Sequence, residues 1–134
     1  MKVCFDSKFA TISVREEKKV AYLAWKPSAQ SQDYKAVLEK SLEIISEEQI
    51  VAWIPNNTEA RVVSPEDRKW AEEHFIPEAV ARGVRVMAFV FPAEDAFKKY
   101  YASKLQEAAQ DKNIKFEIFA DGRDAERWVL KQLS

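Results

Sequence analysis

The side chains able to do chemistry are few in this chain of 134 residues, which holds one histidine, one cysteine and two glycines. His74 has the chemistry of a general base or a metal ligand, but with no second histidine and no cysteine beside it, neither a triad nor a zinc set forms around it. It is expected as a partly buried histidine packed beside the bend made by Pro77. Cys4 lies in an apolar run and has no partner for a disulfide or a thiolate metal site, so it reads as a small buried hydrophobe in a reducing compartment. No GxSxG, HExxH, CxxC or P-loop pattern occurs, and Gly83 and Gly122 cannot make a phosphate-cradling loop. Glu66, Asp67, Glu72 and Glu73 put carboxylates on adjacent helical turns, a pattern suited to acid–base work or a hard cation. They alternate with Arg68 and Lys69, so the pattern reads as a solvated face. No catalytic residue, cofactor or metal is expected.

Two other groups of residues stand out. The run Asn56-Asn57-Thr58-Glu59-Ala60-Arg61, with Ser64 behind it, follows the carboxyl end of a central strand and precedes a helix N-terminus. That is where open α/β sheets bind ligands and where anions are held. Asn56, Asn57, Thr58, Arg61 and Ser64 are therefore the candidate interaction or ligand loop. Phe97, Tyr100 and Tyr101, with Trp70, Phe75 and Ile76, offer more aromatic and apolar surface than helices over a small sheet need. Core packing is the first use for such surface; an apolar pocket or a dimer contact is the second.

Composition narrows the partners. Lys and Arg number 21 against 22 Asp and Glu, so no net field draws the chain to nucleic acid or to an anionic membrane. No apolar stretch reaches the ~20 residues of a membrane helix. The opening Met1-Lys2-Val3-Cys4-Phe5-Asp6 breaks off too soon for a signal peptide. A cytoplasmic protein is expected, without nucleic-acid binding or membrane insertion, and with 47% apolar residues it has material for one core.

The elements that would position these residues follow from spacing. Phe9 to Arg15 and Val20 to Trp25 alternate at period two and predict a hairpin across Glu16-Glu17-Lys18-Lys19, a turn longer than two residues because it lacks glycine. Val3 to Phe5 adds a short leading strand. Tyr34, Val37, Leu38, Ser41, Leu42 and Ile45 recur at helical steps. The apolar run Gln49 to Ile54 predicts a doubly buried strand stopped by Pro55-Asn56-Asn57. Ser64-Pro65-Glu66-Asp67 is a helix start, Pro77 splits that helix near Ile76, and Gly83 ends it. Val84 to Phe91 is a strand, and Phe97, Tyr100, Tyr101, Lys104, Leu105 and Ala108 make a helical stripe. Lys115 to Phe119 is a strand, and Asp121 caps a last helix that buries Ala125, Trp128, Val129 and Leu133. Strands alternating with helices require crossovers, hence one α/β domain over residues 1–134 with a mixed, mostly parallel sheet.

This order, β-β-α-β-α-β-α-β-α, resembles the SpoIIAA-like (STAS-type) family over nearly the whole chain. The residues that carry the likeness are Trp53 at the third strand, Ser64-Pro65-Glu66-Asp67 and Trp70 opening the next helix, the pair Pro77 and Gly83, and Trp128 near the end. The resemblance implies a protein-interaction or regulatory module without enzymatic activity, acting on a protein partner or on a second copy of itself as a homodimer. The phosphorylated Asp-Ser pair of the anti-sigma factor antagonists has no counterpart, since the chain after Ile54 reads Pro55-Asn56-Asn57-Thr58. The alternative reading is a carrier of a small apolar or lipid-like ligand under the helix bent at Pro77. A third, an enzyme, requires Asn56, Thr58, Arg61 and His74 to converge on one cleft.

Overall fold

The computed structural model describes residues 1–29, 31–59, 64–92, 104, 106, 107, 110 and 114–134, with only the backbone at Ser31. The expected stripe over Phe97, Tyr100, Tyr101, Leu105 and Ala108 lies outside the described residues, as does Arg61. Six strands among the described residues form one sheet in chain order: β1 (Lys2–Asp6), β2 (Ala10–Arg15), β3 (Val20–Trp25), β4 (Ala52–Asn56), β5 (Val86–Val90) and β6 (Lys115–Phe119). β1, β2 and β3 run antiparallel, while β3, β4, β5 and β6 are joined in parallel. The mixed sheet follows from the connections: short turns join the first three strands, and parallel neighbours need crossovers. The leading strand pairs with β2 and makes six strands where the order β-β-α-β-α-β-α-β-α counts five; it is longer than expected and carries an irregularity between Val3 and Phe5. Cys4 sits there half-buried against the core, and burial pushes its thiol above the ordinary range.

The β2–β3 turn needs a left-handed residue, and without glycine Lys19 takes that place at φ 58°. α1 (Ser31–Glu47) buries Val37, Leu38, Ser41, Leu42, Ile44 and Ile45. Buried Ser41 is satisfied by donating to the Val37 carbonyl at 2.9 Å. The helix closes through Gln49, which is left-handed at φ 55°, so that the Ile50 N–H reaches the Ile45 carbonyl at 3.0 Å. Arg82 donates to the Leu42 carbonyl near this end at 2.9 Å, supplying a cation that the last turn of α1 lacks.

β4 corrects one expectation: Pro55 does not stop the strand. It sits inside it opposite Leu23, and the strand runs on to Asn56, paired with Ala24 and Val90. A proline in a central strand forgoes one ladder hydrogen bond, but burial on both faces supplies packing to offset it. Trp53 points to one face and is 1% exposed, while Ala52 and Ile54 point to the other.

The helical run over 65–81 has three parts: α2 (Pro65–Trp70), a π-helical turn (Ala71–Phe75) and α3 (Ile76–Ala81). Its core residues explain the division. Asp67, Ala71 and Phe75 are buried at steps of four, followed at once by Ile76 and then Ala79. Four residues advance an α-helix by about 400°, so such a stripe drifts about 40° per step away from the sheet. A wider turn, closed by the Ile76 N–H on the Ala71 carbonyl, cancels that drift. Pro77 then falls in the first turn of α3, where a missing donor costs little. Gly83 stops the run at φ +119°, with the Val84 N–H on the Ala79 carbonyl at 3.1 Å.

α1 and the 65–81 run cover the face that carries Ile12, Leu23, Trp53, Met87 and Phe89; α4 (Gly122–Leu133) covers Val20, Ala52, Ile54, Val86, Ala88 and Val90 on the other. The Asp121 carboxylate caps α4 by accepting from the Arg123 N–H at 2.7 Å. Ala52, Ala88 and Ala125 are fully buried, and their small side chains let α4 lie close to the sheet. Val129 is buried with them, while Trp128 and Leu133 pack on the rim half-exposed.

Because a side chain at φ 55° is strained and glycine is not, Gln49→Gly is expected to raise stability by about 0.5–1 kcal/mol. Urea unfolding measures this as a higher midpoint with an unchanged slope.

Candidate functional site

The parallel strands end together at Trp25, Asn56 and Val90, and the chain leaving β4 makes a tight turn there. Asn56 directs its side-chain oxygen to the Thr58 N–H at 3.0 Å and to the Thr58 hydroxyl at 2.7 Å, an Asx-type turn. The Asn57 N–H donates to the Val90 carbonyl at 2.8 Å, and its side-chain Nδ2 donates to the carbonyls of Pro55 and Val90 at 3.3 Å each. The carbonyl of a proline within a strand thus finds its donor in a side chain. Gly122 lies beside the turn, where a Cβ would sit 3.8 Å from Asn56 Nδ2. Both asparagines therefore hold backbone. Thr58 and Glu59 are exposed.

Ser64, the last member of the expected loop, caps α2 by accepting from the Asp67 N–H at 3.1 Å. Ser64, Pro65 and Glu66 are exposed. Asp67 is not part of a solvated acidic face, which corrects the sequence expectation: it is 4% exposed. Its place four residues before Ala71 and eight before Phe75 is the signal that marked it as core-facing. Glu72 is likewise partly desolvated, and burial raises its carboxyl above the usual carboxylate range.

The aromatic candidates divide. Phe75 and Ile76 are core residues, 2% and 1% exposed, so they present no dimer surface. Phe75 packs on Trp53 with ring centroids 5.6 Å apart. Together they roof a cavity of about 20 Å³ at the carboxyl ends of β3, β4 and β5, walled also by Trp25, Tyr34, Phe89 and Asn57. Tyr34 stacks on Trp25 at 5.1 Å across its side. That volume is the size of a single water, far from the several hundred Å³ of a ligand pocket. Trp70 is half-buried, and Phe97, Tyr100 and Tyr101 fall outside the described residues.

His74 is exposed, against the expectation of a partly buried residue. Its ring lies 4.8 Å from that of Trp70, and Nε2 is 3.1 Å from Glu39 Oε1 on α1. The widened turn rotates residue 74 outward while Phe75 points in. Its hydrogen-bond partner is therefore Glu39, and that of Asn56 is Thr58. No group of three His, Cys, Asp or Glu side chains among the described residues stands close enough to hold a metal, and no described helix is long and apolar enough to cross a membrane.

One polar link was not foreseen. The Tyr22 hydroxyl, on the α4 side of the sheet, donates to Glu126 Oε2 at 2.5 Å, and Arg15 lies 3.6 Å from Glu126 Oε1. Burial first, then the hydrogen bond to Glu126, raises the phenol well above its ordinary value. The two residues are 104 positions apart. The available signal was a glutamate inside the α4 stripe, between Ala125 and Val129. Compared with models of known protein families, with curated proteins and with solved structures, the chain matches none.

Two outcomes follow. Phe75→Ala removes a ring packed on Trp53 and is expected to cost about 3–5 kcal/mol, read from chemical unfolding. A phenol whose folded value is raised contributes stability below its unfolded value of 10.0, and loses it as pH rises through and beyond that value. The wild-type thermal midpoint should therefore fall above pH 10, and Tyr22→Phe should flatten that fall while lowering the midpoint at neutral pH.

Proposed function

We propose that the chain is a non-enzymatic interaction module of SpoIIAA-like (STAS-type) architecture, binding a partner protein or a second copy through the turn after β4 and the start of the helical run that follows. The observation that carries this reading is the engagement of Asn56 and Asn57 in holding the turn. Side chains committed to backbone are not offered to a substrate. The turn they fix leaves Thr58 and Glu59 exposed, and Ser64, Pro65 and Glu66 at the start of the helical run are exposed as well. A surface rigid before binding is spared the ordering cost of a flexible loop. The antiparallel β1–β3 unit followed by three parallel pairings supports the architectural part of the proposal.

Thr58→Arg, Glu59→Arg and Glu66→Arg combined change only exposed side chains; the Thr58 hydroxyl bond to Asn56 is lost, while the Thr58 N–H bond, both asparagines and the Ser64 cap stay in place. This variant should keep the wild-type circular dichroism while self-association, or affinity for a captured partner, weakens roughly tenfold or more, about 1.4 kcal/mol. Sedimentation velocity and a binding titration read the two cases. Unchanged association would place the contact elsewhere.

A second reading, carriage of a small apolar or lipid-like ligand, rests on the aromatic walls of the cavity beneath the π-helical turn. It requires that space to open from about 20 Å³ to several hundred. Native mass spectrometry of freshly purified protein separates the readings: a co-purified mass favours carriage, and a bare chain favours the interaction module.

A further inference from the structure

We draw no further inference here: the strongest candidate, the open groove of about 510 Å³ along the outer face of α4 beside Trp128, Arg127 and Lys131, is a helix face without a partner among the described residues, and nothing in the structure shows what covers it.

Discussion

The contact between Trp53 and Phe75 governs much of this molecule. Trp53 is held in a central strand between two parallel neighbours, so its position is fixed by the sheet. The helical run over 65–81 must then bring Phe75 onto it while also burying Asp67, Ala71, Ile76 and Ala79. An uninterrupted α-helix cannot keep that series on one face. The π-helical turn is the geometric answer, and it sends His74 outward to Glu39 just as it sends Phe75 inward. The proline at position 77 is tolerated because the run effectively restarts at Ile76.

The same packing bears on function. With Phe75 packed on Trp53 and Ile76 buried in the same cluster, the space at the carboxyl ends of the central strands is nearly closed. Among the described residues, Thr58 and Glu59 of the turn leaving β4 are exposed at that edge. There the side chains of Asn56 and Asn57 pair with backbone groups at the chain reversal, the Thr58 N–H and the carbonyls of Pro55 and Val90. The asparagine side chains named for recognition hold backbone at the turn, and Thr58 and Glu59 beside them are exposed. On the opposite face, Glu126 reaches from α4 to Tyr22 on β3, with Arg15 of β2 beside it. This adds a polar tie between the last helix and β3 and β2.

Local signals in the sequence predicted the elements well where one physical cause dominates. Period-two alternation gave β2 and β3, the capping serine with proline gave the start at Pro65, the glycine gave the stop at Gly83, and Asp121 gave the cap of α4. They misled where two causes compete. Pro55 is a strand breaker by backbone chemistry, yet burial on both faces keeps it in β4. Asp67 alternates with charges in sequence, yet its helical phase turns it into the core.

What the sequence determined by itself was the strands and the helices over Ser31–Glu47, 65–81 and Gly122–Leu133, because spacing and capping act over a few residues. The tertiary structure decided the rest. Which carboxylate is buried, which way His74 points, what the asparagines bind and whether aromatic side chains enclose a pocket all depend on groups brought together from distant positions. Tyr22 and Glu126 illustrate the reason: neither means much in its own segment, and only the docking of α4 on the sheet makes them a pair.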